Sequence, residues 1–289
     1  MNVITKISDL RLTIDHLKNT GKTIGFVPTM GFLHEGHLTL AKEARTNNEV
    51  VVMSIFVNPL QFGPNEDFDR YPRDVERDTE LARMSGVDIL FIPEVADMYP
   101  GKQSITMTVT ERVDVLCGSK REGHFDGVVT VLTKLFHLVQ PSRAYFGQKD
   151  AQQVAVVEGL VSDYFFPVEI IRVPTVREED GLAKSSRNVY LSQEERQAAP
   201  FLYRSMKEAA KCIEDGERTP SVITGGISKI IQENTSGTVD YVEVYSYPEL
   251  QELKRLKGDI IIAVAVQFQQ ARLIDNIIIN VQPEEDYHV

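Results

Sequence analysis

The sequence contains no tryptophan and only two cysteines, Cys117 and Cys212, in 289 residues. They form no CxxC pair, so neither a disulfide framework nor a cysteine-based zinc site is encoded, and free thiols in a reducing cytoplasm are expected. Positive charge is also scarce: 31 Lys and Arg against 42 Asp and Glu leave a net charge of −11. A nucleic-acid surface needs clustered cations, so no nucleic-acid partner is expected. Long hydrophobic runs are missing too. The longest, 260–266, is too short to span a bilayer and suits a buried strand. Residues 1–9 lack the apolar core of a signal peptide, which leaves no membrane partner in view. There is no internal repeat, and the acidic stretch 282–289 reads as a loosely held tail.

What is present is an ordinary globular balance, 42% hydrophobic and 25% charged, in a chain long enough for one large or two modest domains. Apolar runs at 23–27, 50–57, 88–92, 144–146 and 168–173 alternate with helix-like stretches. A first helix is capped by Ser8, carries Leu10, Ile14 and Leu17 on one face and closes at Gly21. Residues 74–85, 128–139 and 150–163 read as further helices, and 105–110 alternates like a strand. Continuous apolar strands between helices predict a Rossmann-like, doubly wound parallel α/β sheet. After Val176 the pattern changes: helices at 193–214 and 220–234, then strands at 239–246, 259–268 and 272–281. That order predicts a smaller C-terminal α+β domain, giving domains 1–176 and 177–289.

The chain is organised around Pro28-Thr29-Met30-Gly31-Phe32-Leu33-His34-Glu35-Gly36-His37-Leu38, which joins a strand to a helix start. In an open parallel sheet that turn faces the ligand-binding crevice, and a helix start offers backbone N–H groups to a phosphate. His34 and His37 are spaced to face one side of a first helical turn, and Gly36 lets a flat group approach the backbone. Two imidazoles can donate to a phosphoryl group. The residues alone also allow helix-surface histidines or metal ligands, although no third metal ligand is evident nearby.

Three further segments could carry chemistry. Asn58 and Gln61 follow the second strand of the series and offer donors and acceptors suited to a small polyhydroxy acid, or they serve only the Asn58-Pro59 turn. Phe146-Gly147-Gln148-Lys149-Asp150 repeats strand, glycine, helix start. There Lys149 opposes the helix dipole unless an anion neutralises it, with Asp150 a reasonable cap. Lys184-Ser185-Ser186-Arg187 sets two cations and two hydroxyls in a loop able to close over a triphosphate, or forms a solvated basic turn.

The His34-Glu35-Gly36-His37 run resembles the HIGH signature of the nucleotidylyltransferase and class I aminoacyl-tRNA synthetase superfamily. The longer run from Pro28 to His37 is similar to the pantothenate synthetase (pantoate–β-alanine ligase) family, and the later segments follow in that family's order. The resemblance implies an ATP-dependent ligase joining (R)-pantoate to β-alanine through a pantoyl adenylate, with AMP and pyrophosphate released. It gives His37, His34 and Lys149 catalytic roles. It assigns ATP to Met30, Gly31, Phe32, Leu33, His34, Glu35, Gly36 and His37, to Gly147, Gln148, Lys149 and Asp150, and to the backbone of Val176. It extends that site to the loop of Lys184, Ser185, Ser186 and Arg187, which resembles the superfamily's KMSKS loop and would act with the second domain as a lid. Pantoate and β-alanine fall to Gln61, Gln153 and Asn58. Mg²⁺ would ride mainly on ATP, with Asp78 as its protein carboxylate. His37 is expected to donate a proton to the leaving group, His124 to be structural, and the protein to be a cytoplasmic homodimer. Two departures stand out: Lys184 where many relatives carry methionine, and Glu122 where proline is common. The alternatives are a nucleotidylyltransferase acting on a phosphorylated acceptor and a nucleotide-binding regulator without turnover.

Overall fold

The protein is described by a computed structural model covering residues 1–64, 66 and 68–282, so the tail expected at 282–289 lies, from residue 283 on, outside the described residues. It divides into two compact units, Met1–Val176 and Arg177–Val289.

The first unit begins with β1 (Asn2–Ile4), α1 (Ile7–Asn19), β2 (Ile24–Thr29), α2 (Glu35–Asn47) and β3 (Val50–Ile55). It continues through α3 (Val75–Met84), β4 (Ile89–Phe91), α4 (Val95–Met98) and α5 (His124–Val139) to β5 (Arg143–Gly147), α6 (Ala151–Asp163) and β6 (Glu169–Val173). The strands form one parallel sheet in the order β1-β4-β3-β2-β5-β6. Its central strands β2 and β3 are nearly continuous apolar runs, broken only by Thr29 and Ser54, because both faces are covered. Phe26, Val52 and Phe91 pack with Leu10 and Ile14 of α1 and with Val128 and Leu132 of α5. Val27, Val51 and Met53 point the other way, onto Leu40, Ala41 and Ala44 of α2. The period-two alternation survives, with each face finding its own helix layer.

Strand order reverses at β2, between β3 and β5, and there the sheet opens. β2 pairs with β3 along its whole length, from Ile24 to Thr29, but with β5 only at Gly25 and Phe26. Ile24 accepts from Ser142 ahead of β5, whereas Thr23 and Thr29 accept from Val50 and Phe56 on the β3 side. By alternation Pro28 faces β5, so the residue without an N–H sits where pairing stops. The crevice typical of this topology therefore starts beside Pro28.

Several local expectations are corrected. β1 is an additional edge strand that the sequence pattern did not reveal. Lys6, not Ser8, holds the N-cap position of α1, with no side-chain cap, and Ser8 lies inside the helix. Residues 105–110 form no strand; Met107 and Val109 pack on the core, and the Val109 N–H donates to Asp126 at 2.8 Å. The helix expected over 193–214 is two, α7 (Gln193–Ala198) and α8 (Phe201–Glu214), because Pro200 cannot continue the hydrogen-bond ladder.

In the second unit α9 (Pro220–Asn234) follows α8, then β7 (Thr238–Ser246), β8 (Gly258–Gln267) and β9 (Arg272–Val281) form an antiparallel sheet. Leu202, Met206, Ile223 and Ile227 of its helices cover Ile260, Ile262 and Val264 of β8. Arg177 forms a two-pronged pair with buried Asp275 at 2.6 and 2.9 Å and lies over the Tyr203 ring at 3.6 Å. Among the described residues no helix is long and apolar enough to cross a membrane.

Candidate active site

The turn after β2 fixes two imidazoles through its own backbone. His34 is the N-cap of α2; its Nδ1 accepts from the Gly36 N–H at 3.1 Å, and the His34 N–H donates to His37 Nδ1 at 3.3 Å. With both Nδ1 atoms acting as acceptors, each neutral ring carries its proton on Nε2. The rings lie 4.1 Å apart, tilted by 33°. Gly36 has to be glycine here: a Cβ would come within 2.9 Å of the His34 ring. Burial first, then the nearby charges of His34 and Lys149, hold His37 well below the usual imidazole range. At neutral pH its surroundings favour an uncharged Nε2–H donor, so they lend no support to the expected proton transfer from His37.

The backbone of this turn also departs from expectation. The N–H groups of Gly31, Phe32, Leu33, His34 and Gly36 turn inward rather than forming an outward phosphate cradle. Gly31 N–H donates to Thr29 Oγ1 at 3.1 Å, and Phe32 and Leu33 N–H donate to the two oxygens of Asp78 at 2.6 and 2.7 Å. Together with those of His34 and Gly36, the amides are consumed internally. Asp78 lies at the start of α3, is 1% exposed, and burial raises its carboxyl above the usual range despite its hydrogen bonds. With both oxygens engaged it is poorly suited to the metal-holding role expected for it, and among the described residues no group of three His, Cys, Asp or Glu side chains could hold a metal ion.

Lys149 reaches the same region from the turn after β5. It lies within 3.8 Å of the Asp150 carboxylate and close enough to His37 to depress that ring's proton affinity. Asp150 does occupy the N-cap position of α6 but makes no side-chain cap bond. Gly147 has open space where a Cβ would stand. Gln153 sits partly buried in the first turn of α6.

Beyond β3, Asn58 is fully buried with its hydrogen-bonding capacity filled by protein. Its Oδ1 accepts from Tyr99 (2.8 Å) and the Leu60 N–H (3.3 Å), and its Nδ2 donates to Gln61 Oε1 (3.1 Å) and Gly127 O (3.0 Å). It therefore orients Gln61 instead of meeting a substrate, and Gln61 is set with its Nε2 as the end to donate. A network missed in the sequence backs this turn. His124 and Arg121 both bond to Gln61 O, at 2.8 and 3.3 Å, and Arg121 pairs with Glu66 at 2.5 Å. Burial and the Arg121 charge push His124 down to about 4, consistent with its structural reading. These partners sit about sixty positions away in sequence, out of reach of any local pattern.

The Lys184–Arg187 loop belongs to the second unit, whereas Val176 ends the first. Ser185 caps a short helical turn by accepting from the Arg187 N–H at 3.2 Å, and Lys184 pairs with Glu178 at 2.9 Å.

Residues 2–278 match the family model described as pantoate-beta-alanine ligase. The chain belongs to that family. The pantothenate synthetase of Bacillus pumilus (strain SAFR-032) is 63% identical, with all of both chains covered, and that of Bacillus subtilis (strain 168) is 62% identical over 99% of each. Among solved structures, the Thermus thermophilus pantothenate synthetase has a TM-score of 0.91 at 45% identity, covering 98% of this chain and all of that one. The Francisella tularensis pantoate-beta-alanine ligase, complexed with β-γ ATP and β-alanine, has a TM-score of 0.80 at 33% identity, covering 96% of this chain and 97% of that one.

Proposed function

We propose that this ligase makes pantothenate from (R)-pantoate and β-alanine through a pantoyl adenylate. A pantoate carboxylate oxygen attacks the α-phosphorus of ATP as the bond to pyrophosphate breaks. The β-alanine amine then attacks the acyl carbon, AMP leaves, and the ammonium proton passes to solvent. The chain's part is alignment and charge stabilisation. The observation that carries the reading is the pair of Nε2–H imidazoles beside Lys149 at the β2–β5 crevice. Two fixed Nε2–H donors and one cation suit the growing negative charge of a phosphoryl group in transfer.

Gln61, with its amide preset by Asn58, and Gln153 are neutral, which favours a non-phosphorylated acid over the phosphorylated acceptor of a nucleotidylyltransferase. Met30–His37, Gly147–Asp150, Val176 and the Lys184–Arg187 loop are assigned to ATP, the loop acting as a lid. The described side chains provide no dedicated cage for Mg²⁺, so any such ion is assigned to the ATP phosphates. A cytoplasmic homodimer belongs to the same reading, checked by light scattering of the purified chain.

The deciding assay is pyrophosphate release from ATP with and without pantoate, in the absence of β-alanine. Release that requires pantoate is expected. Release that requires a phosphorylated acceptor favours the nucleotidylyltransferase, and ATP binding without release favours a regulator.

A further inference from the structure

The two amides most favourably placed to hold an anion are already holding one. Gly31 (φ +84°) and Phe32 (φ +49°) are both left-handed, an unusual conformation for a phenylalanine. Two such residues in succession bend the chain into a tight turn, and a turn can gather successive N–H groups around an anion. Here the Phe32 and Leu33 N–H groups converge on the buried Asp78 carboxylate, one to each oxygen. Neighbouring Arg77 closes the other side: it donates to Leu33 O at 2.9 Å, and its guanidinium lies 5.2 Å from the Phe32 ring centre. A Cβ on Gly31 would stand 3.1 Å from the Asp78 carboxylate and 2.9 Å from Ile55, so the turn and the carboxylate fit only with glycine there.

We propose that Asp78 is a positioning residue for the adenylation step: its carboxylate substitutes for a bound anion inside the turn and thereby locks His34 and His37. It is neither a metal ligand nor a phosphate contact. The backbone concavity is closed to the triphosphate, and recognition passes to the imidazole Nε2–H groups and Lys149. What the histidines contact rests on the proposed reaction; the geometry of the turn does not. Leu33 leads directly into His34, so a shift of the Phe32–Leu33 peptide moves the N-cap that sets both rings.

The test compares the full-length wild type with Asp78→Asn and Arg77→Ala. Asparagine keeps the volume but replaces one acceptor oxygen with an N–H₂ that cannot receive an amide. Per folded molecule, kcat for pantoate-dependent pyrophosphate release is expected to fall by about 10- to 100-fold, the scale of a misalignment near 1 Å. The Mg²⁺ concentration for half-maximal rate should not change. In a ¹⁵N–¹H spectrum the Phe32 and Leu33 amides should exchange slowly in the wild type and move upfield in Asp78→Asn. Arg77→Ala, at a half-exposed side chain, keeps the enzyme folded should Asp78→Asn fail to fold; it should lower kcat by a smaller factor, again without a change in Mg²⁺ demand. Recovery of the Asp78→Asn rate at raised Mg²⁺, rapid exchange of both wild-type amides, or an unchanged kcat in both variants overturns the proposal. A wild type with slow-exchanging amides but no pantoate-dependent release instead overturns the reaction and leaves the clamp standing.

Discussion

Replacing His37 by alanine removes a donor from the crevice and also the acceptor that holds the His34 N–H. Pantoate-dependent pyrophosphate release is expected to drop by about two orders of magnitude or more in His37→Ala, and similarly in Lys149→Ala, the scale of losing one oxyanion donor. Because the folded ring stays neutral well below the ordinary imidazole value, kcat should show no gain on acidification from pH 8 to 6. A pH–rate profile rising toward pH 6 would instead reveal a proton-donating His37. Lys184→Met should alter KM for ATP by less than about fivefold, since the displaced Glu178 pair is a partly exposed one. At this scale an imidazole pair at helical spacing and a lysine against a helix dipole were legible in the sequence because they are local features. The sequence left dark which nitrogen carries each proton and what Asp78 touches. Those depend on backbone contacts that only folding makes, the Asp78 pair spanning 45 and 46 positions.

At the scale of elements, the turn after β3 and the start of α5 are built as one piece. A Cβ on Gly127 would come within 2.2 Å of Leu60 O, so the helix backbone packs directly on the turn that carries Gln61. Asn58 bridges the same contact. Asn58→Ala removes the acceptor of the Tyr99 hydroxyl, whose own proton affinity burial has pushed up to about 12, and the side-chain donor that Gly127 O receives in addition to its helical one. Urea unfolding should report a loss of about 2–4 kcal/mol, and KM for pantoate should rise as Gln61 loses its orientation. The strands of the parallel sheet other than edge strand β1 were legible as apolar runs, nearly continuous where the strand is covered on both faces. The alternation at 105–110 misled, since an extended segment can satisfy itself on a helix, as Val109 does on Asp126, without joining a sheet. Pro200 splits the 193–214 pattern because period outlasts backbone continuity when apolar spacing persists across a break.

For the molecule as a whole, the two depressed histidines link stability to pH. Unfolded imidazoles take up protons near pH 6.5, while folded His124 resists until about 4 and His37 also lies well below its usual value. The unfolded chain therefore binds more protons as pH falls through that window, so their contribution is intact above about 6.5 and declines toward pH 4. His124 alone accounts for about 1–3 kcal/mol. Melting temperature should fall between pH 7.5 and 5, and His124→Asn should flatten part of that slope. The overall charge and the ordered motifs made the family readable before any coordinates, because they are spread along the whole chain. The change of architecture after Val176 was likewise visible as a change in element order.

Pro28 gives the crevice a chemical reason to stay open. A sheet edge with a dangling amide attracts either the next strand or a tightly held water, and each would have to be displaced for an entering nucleotide. An edge bearing a tertiary amide offers no donor to hold either, leaving only the Pro28 carbonyl as an acceptor. Pro28→Ala would restore that donor beside β5, so KM for ATP should increase while the fold is retained. The gap between these strands is thus kept ready by an atom the backbone does not have.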